Sequence, residues 1–236
     1  QMVGEGKIED TNSDALVQLM VGREVNQIFP DRAPVVGDPV LTVAGYDHPT
    51  EFADINFTLN KGEILGFYGL VGSGRSEVMQ ALFGVTKPSK GAMRIGDKIA
   101  VIRTPAQAIK NGIVYVPEDR GTQGAVAGLP IFQNVTLPSL ARTSRNGFIK
   151  LAKEFALARE YTTRMDLRAA SLDQDVANLS GGNQQKVVIA KWLATQPKVI
   201  IMDEPTKGID VGSKAAVHSF MAELVAQGLR DRKSVV

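Results

Sequence analysis

Apolar residues recur along this chain with two spacings, the two-residue alternation of strands and the three-to-four-residue recurrence of helices. Alternation of the first kind covers Val40–Val43 and Ile55–Leu59, and Glu63–Tyr68 (EILGFY) is a short apolar run that leads into a glycine-rich turn. A run of that kind suits a buried strand. Ile113–Val116 and Val199–Met202 predict two more short strands. Helical spacing follows the glycine-rich turn in EVMQALFG, recurs over residues 148–168, and continues after Lys186 to Ala194. In the segment 104–112, Thr104 can cap a helix, Pro105 takes its first position, and Asn111-Gly112 stops it. Ser13–Gly22 predicts a short amphipathic helix with Leu16, Leu19 and Met20 on one face. Pro30, Pro34, Gly37 and Pro39 then mark a linker at about 23–39. Strands alternating with helices predict an α/β domain with a mainly parallel sheet.

Composition narrows the function classes. The 236 residues are 44% hydrophobic, enough for a buried core. A formal charge of +2, from 27 basic and 25 acidic side chains, gives no dense positive surface and so no reason to expect a nucleic-acid partner. No cysteine is present, which removes disulfides and thiolate metal sites from consideration and fits a cytoplasmic setting. No uncharged apolar run approaches the ~18 residues of a membrane span, and residues 1–7 lack a signal pattern. Gln1 in place of Met suggests an excised or processed fragment.

Three short segments carry chemistry. Gly69-Leu70-Val71-Gly72-Ser73-Gly74-Arg75-Ser76 has the spacing of a phosphate-binding loop, G-x-x-x-x-G-K-[ST], with Arg75 where lysine is expected. Glycines there let consecutive N–H groups and a helix N-terminus face an anion, and the hydroxyl of Ser76 can reach a magnesium ion. Arg75 keeps the charge, but its planar guanidinium is bulkier than an ammonium, so binding can survive while catalysis suffers. Val199–Met202 ends in Asp203-Glu204, two carboxylates at the carboxyl end of a strand, suited respectively to holding magnesium and polarising water. Between them, Leu179-Ser180-Gly181-Gly182-Asn183-Gln184-Gln185-Lys186 opens a helix with a hydroxyl and free glycine N–H groups. An ordinary strand-turn-helix connection with glycines for tight turning, a strand ending in solvated acids and a glycine-rich helix cap are the respective alternative readings of the three segments. Their order along one chain favours the functional ones.

LSGGNQQK resembles the signature motif of ATP-binding cassette proteins, and the resemblance runs from about Val40 to Leu229. It implies a P-loop NTPase core with a small antiparallel β subdomain and a helical signature subdomain at about 124–190. In the family the signature meets the γ-phosphate of ATP bound to an opposing cassette, which implies that role for Ser180, Gly181, Gly182, Asn183 and Gln184. Gly69, Gly72, Ser73, Gly74, Arg75 and Ser76 would bind nucleotide; Ser76, Asp203 and Glu118 would serve magnesium; and Glu204 would be catalytic. Asp210, in PTKGID, looks like the D-loop aspartate at the dimer interface. Glu118 departs from the pattern, because it stands where the family's Q-loop usually carries glutamine. Tyr46, His48 and Phe52 lie where an adenine-stacking aromatic is usual, but read first as core or surface residues.

The forms GIVYVPEDR, LSGGNQQK and DEPTKGIDVG look like the second cassette of tandem-cassette bacterial importers for ribose, galactose or xylose. By this likeness residues 1–29 are the tail of a preceding cassette, 30–39 a linker, 40–229 the cassette, and 230–236 an atypical tail where an apolar C-terminal strand with a switch histidine is expected. The implied ligands are ATP and magnesium. The implied partners are the first cassette of the same polypeptide or a second copy, a membrane permease, and indirectly a periplasmic sugar-binding protein. The implied location is peripheral, on the cytoplasmic face of the inner membrane. A non-hydrolysing regulatory cassette that donates its signature to a partner site is the alternative, favoured by Arg75 and Glu118. A cassette of DNA repair or translation is disfavoured by the near-neutral charge.

Overall fold

The computed structural model describes Lys7, Thr11, residues 37–231 and residues 234–235. The helix expected over Ser13–Gly22 and most of the linker lie outside the described residues.

Two sheets organise the molecule. The first is antiparallel and four-stranded, in the order β2 (Ile55–Asn60), β1 (Pro39–Asp47), β3 (Lys90–Ile95), β4 (Lys98–Ala100). The strands β1 and β2 follow the predicted alternation, and β1 extends past its predicted end because both neighbours pair with it out to Asp47 or Tyr46. The second sheet is parallel and three-stranded: β5 (Ile113–Val116), β8 (Val199–Met202), β9 (Ser234–Val235). A short hairpin, β6 (Ser144–Arg145) with β7 (Phe148–Ile149), sits among the helices.

The parallel strands are buried on both faces, and their alternation decides which residue enters which core. Ile113, Tyr115, Val199 and Ile201 face a core shared with the antiparallel sheet and helix α1 (Arg75–Phe83). Val114, Val116 and Ile200 face a second core built with helices α3 (Ile131–Thr136), α5 (Leu151–Arg164), α6 (Gly181–Leu193) and α7 (Val211–Asp231). Continuous apolar composition in β5 and β8 is therefore required, since successive side chains point into different apolar layers. Helix α2 (Pro105–Lys110) ends the β4–β5 connection, with Thr104 Oγ1 accepting from the Gln107 amide and Pro105 in the first turn, as the sequence predicts. A four-residue helix α4 (Leu140–Thr143) precedes the hairpin. Helix α5 is shorter than the helical pattern over 148–168, because Phe148 and Ile149 are taken by β7 and Met165 ends it.

The strand expected at Glu63–Tyr68 does not form. Leu65 and Phe67 pack inward, Phe67 edge-on against Phe57 at 5.1 Å between ring centroids, while Ile64 and Tyr68 face out, Tyr68 at 98% exposure. The two-residue alternation thus survives in burial, but residues 65–70 join no ladder. A strand needs a neighbour for its N–H and C=O groups. Among the described residues, β9 is the element on the far side of β8 from β5, and it pairs only two residues, with Val199 and Ile200. Among the described residues, no ladder lies beyond Ile200 on that side for the run to join.

Candidate functional site

Residues 69–76 form a tight loop that opens α1. The Ser73 amide donates to the Leu70 carbonyl at 3.1 Å, and Gly72 and Gly74 turn the chain with φ of 81° and 86°. Gly74 caps α1 without any side-chain hydrogen bond to the helix, so no capping side chain satisfies the first-turn N–H groups. A side chain at 74 would also strike the backbone, since a Cβ there would lie 2.8 Å from the Glu51 carbonyl oxygen. The segment that carries Glu51 and Phe52 is thereby held against the phosphate-loop turn.

Ser76, in the first turn of α1, donates its hydroxyl to Asp203 Oδ1 at 3.1 Å, joining the loop to the end of β8. Asp203 is buried, and its other oxygen accepts from the Tyr115 hydroxyl at 2.8 Å. Its amide donates to the Val116 carbonyl, which continues the β5–β8 pairing by one residue. Tyr115 was not singled out by the sequence reading. Its place in a buried strand one residue from the Val116 partner of that amide is the signal that could have found it. Burial first, and then the Asp203 carboxylate, push the Tyr115 phenol far above its ordinary pKa, so it stays a hydrogen-bond donor.

Glu204 follows with φ of 42°, in the left-handed region that a non-glycine residue seldom occupies. That turn swings its carboxylate toward Arg75, with Nη2 to Oε1 at 3.4 Å. The cation at the lysine position of the loop and the second acid of the strand end are therefore paired. The pair is partly exposed and contributes little to stability. Its significance is positional, since it brings the second acid of the strand end to the first residue of α1.

Glu118, just beyond β5, pairs with Lys207 in the turn after Glu204. Contact with Glu118 raises the Lys207 pKa, and the Glu204 and Asp203 carboxylates add to the effect. The neighbouring Arg120 donates to the carbonyls of Lys207 and Gly208 at 2.9 and 3.1 Å. Asp210 caps α7, accepting from the Ser213 amide at 2.9 Å and the Ser213 hydroxyl at 2.6 Å; these bonds lower its pKa. Lys207 and Arg120 are further residues the sequence reading did not single out.

The segment 180–184 forms the start of α6. Ser180 is its N-cap residue but makes no capping bond to the helix backbone; its hydroxyl accepts from the Asn183 side chain at 3.1 Å. Gln184 turns back, donating to the carbonyls of Val176 and Leu179 at 3.3 and 3.2 Å. Gly182 is buried against α7, where a Cβ would meet Ser213 Oγ at 2.3 Å. No hydrogen bond or ion pair among the described residues links 180–184 to 69–76. The structure thus gathers Arg75, Ser76, Asp203 and Glu204 in one place, with Glu118 tied to the neighbouring turn, and leaves Ser180 on a separate stretch whose Gly182 lies beside Asp210.

Oxygen ligands from a hydroxyl and a carboxylate suit a hard cation such as magnesium, which takes one or two carboxylates and draws its remaining ligands from phosphate and water. No group of three or more His, Cys, Asp or Glu side chains converges among the described residues. The Ser76–Asp203 pair beside an uncapped helix start is therefore a fitting half-site for a metal that arrives with a phosphate. Also among the described residues, no helix is long and apolar enough to cross a membrane.

Known proteins share this fold. Among solved structures, the dimeric post-hydrolysis ATP-binding cassette MJ0796 bound to ADP and Pi superposes with a TM-score of 0.66 at 21% identity, covering 83% of this chain and 86% of that one. The cbiO1 protein of Clostridium perfringens superposes with a TM-score of 0.64 at 22% identity, covering 84% and 77%. At that identity the likeness concerns the fold. In sequence the chain is 70% identical over 228 residues to ribose import ATP-binding protein RbsA 1 of Rhizobium meliloti, covering 97% of this chain and 45% of that protein. It is 73% identical over 227 residues to RbsA of Jannaschia sp., covering 96% and 44%. The chain thus spans less than half the length of these relatives. The ABC transporter family matches residues 52–207, from the segment against the phosphate loop through Lys207, and to that family the chain belongs.

Proposed function

We propose that this chain is an ATP-binding cassette of a bacterial ribose importer, coupling the binding and hydrolysis of Mg-ATP to transport. The observation that carries the reading is the convergence of Ser76 and Asp203 at the uncapped N-terminus of α1. The N–H groups of Gly72, Gly74, Arg75 and Ser76 would hold the phosphates, with Ser76 and Asp203 serving magnesium. Magnesium would neutralise phosphate charge when bound. Glu204 would orient the attacking water once Arg75 turns from it to the phosphates. Phe52, stacked on Tyr46 and tilted against His48, lies beside Gly74 and makes His48 and Phe52 the candidates to face the base; Tyr46 is core.

Ser180 and the α6 start would meet a nucleotide held by another cassette, which fits their separation from 69–76. That cassette would be another part of a longer polypeptide or a second copy. A membrane permease and a sugar-binding protein would complete the importer, with this chain peripheral on the cytoplasmic face. In this reading residues 40–229 are the cassette and about 124–190 its helical subdomain.

A second reading is favoured by the Arg75–Glu204 pair, which engages the water-orienting acid with the loop's own cation. Here the site binds nucleotide without turnover and serves a partner by donating its signature. Calorimetric titration with Mg-ATP, followed by single-turnover hydrolysis, tests both. Mg-ATP should bind, and Ser76→Ala should weaken the magnesium-supported affinity about tenfold, or ~1.4 kcal/mol. Turnover by the unaltered site supports the hydrolytic reading; turnover that appears only in Arg75→Lys supports the regulatory one. An absence of binding in all forms rejects both.

A further inference from the structure

The segment after β5 reaches both the turn that follows Glu204 and the start of α6. Asp119 makes this segment a firm base: its Oδ1 accepts from the amides of Gly121 and Thr122 at 2.9 and 3.1 Å, and its Oδ2 from the Thr122 hydroxyl at 2.7 Å. These bonds, the Thr122 hydroxyl first, hold the Asp119 carboxyl below the usual range. From that base Arg120 extends its guanidinium across to two successive carbonyls, those of Lys207 and Gly208.

The same guanidinium lies against the first residue of α6. A Cβ at Gly181 would come within 2.7 Å of Arg120 Nη2 and 3.4 Å of the Gly208 carbonyl oxygen. Glycine at 181 thus leaves room for the guanidinium to lie against this helix start. A cation at a helix N-terminus is electrostatically unfavourable. Arg120 Nε, moreover, is buried without a partner. Those costs argue that helix stability does not explain the arrangement. It makes mechanical sense as a clamp, because one planar group can hold two carbonyls only if the turn 204–208 keeps its shape. Glu118 and Lys207 run beside it as an exposed pair that cannot supply much stability but fixes the same two segments in register.

We propose that Arg120 is a positioning residue that fastens the turn bearing Glu204 to the start of the signature helix, so that nucleotide bound at 69–76 is felt at 180–184. The inference rests on the reading of 69–76 as a nucleotide site, yet its first readout does not need nucleotide. Hydrogen exchange of peptides covering 203–210 and 179–186 is measured on the full chain and on Arg120→Ala, Arg120→Lys and Gly181→Ala, with peptides of β5 and β8 as the control for global stability. Without nucleotide, Arg120→Ala should speed exchange in both peptides at least fivefold while the control stays unchanged. Arg120→Lys, which keeps charge but cannot span two carbonyls, should recover less than half of the difference. Gly181→Ala, which drives a methyl into the guanidinium, should reproduce the effect, and adding it to Arg120→Ala should change little further.

With Mg-ATP, the unaltered chain should slow exchange in both peptides. Arg120→Ala should bind nucleotide within threefold of the original affinity but lose the slowing at 179–186. Unchanged exchange in Arg120→Ala, full recovery by Arg120→Lys, or additive effects of the two substitutions would overturn the clamp. Should Arg120→Ala not fold, the Arg120→Lys and Gly181→Ala results decide alone. Failure of the unaltered chain to bind Mg-ATP would count against the nucleotide reading and would leave the clamp to its nucleotide-free test.

Discussion

At the scale of single residues, Asp203 shows how a buried carboxylate keeps both of its oxygens satisfied. One oxygen takes the Ser76 hydroxyl and the other takes the Tyr115 phenol, so neither is left bare inside the protein. The two donors differ in kind. Ser76 can turn its hydroxyl proton aside and offer a lone pair to a metal, whereas Tyr115, its pKa pushed up by burial and by Asp203, remains a donor and fixes the carboxylate plane. Tyr115→Phe keeps the ring and removes only that donor. It should lower stability by about 1–2 kcal/mol in urea unfolding, because Asp203 then carries an unsatisfied buried oxygen. It should also weaken magnesium-dependent nucleotide binding more than magnesium-free binding. Equal weakening of the two, measured by titration with and without chelator, would mean that Tyr115 does not orient Asp203 for metal.

At the scale of elements, α6 carries both a functional start and a structural middle. Lys191, on its buried side, donates to the Gly124 carbonyl and lies 4.9 Å from the Trp192 ring centre, tying the helix to the same segment that holds Arg120. Burial depresses the Lys191 pKa to about 8. The unfolded chain keeps this lysine protonated to above pH 10, so between about pH 8 and pH 10 the unfolded state binds more protons than the folded one. Stability with respect to this group must then rise with pH across that window, having been held down below pH 8. Comparing urea midpoints at pH 7.5 and 10 for the chain and for Lys191→Met should show a relative rise in the unaltered chain on the order of 2–3 kcal/mol. A parallel pH course in both would show that Lys191 is not buried as a cation. Elements of this kind were legible in the sequence where the cause is local: the Thr104 cap, the Pro105 start, the Gly74 turn, and the apolar runs of β5 and β8. The strand at Glu63–Tyr68 was not, because its apolar alternation specifies burial while its ladder depends on a neighbour distant in sequence. The candidate site divides the same way. Motif spacing marked Ser76, Asp203 and Glu204, but Tyr115 holds Asp203, and Arg120 and Glu118 hold the turn after Glu204, through contacts 87 to 89 residues apart in sequence, which no local pattern displays.

At the scale of the whole molecule, the parallel sheet is the partition between two apolar cores, and the chemistry sits at its carboxyl edge. One core lies with α1 and the antiparallel sheet, the other with the helices that lead to the signature. Trp192 packs against both, touching Phe83 edge-on at 5.7 Å between ring centroids, and it is the chain's single tryptophan. Under the proposed coupling of 69–76 to 180–184, the fold gains from melting as one unit, since independently unfolding cores would uncouple the two stretches. The shared strands favour that outcome, because losing either core exposes one face of β5 and β8 to water. Tryptophan emission reports the junction, and far-ultraviolet circular dichroism reports the helices on both sides. Their urea transitions should coincide in midpoint and slope. If emission changes first, Trp192 lies at a boundary that opens before the cores do. The coupling from phosphate loop to signature would then have to travel by the Arg120 contacts outside the core, and Arg120→Ala would be expected to abolish it even where both cores remain folded.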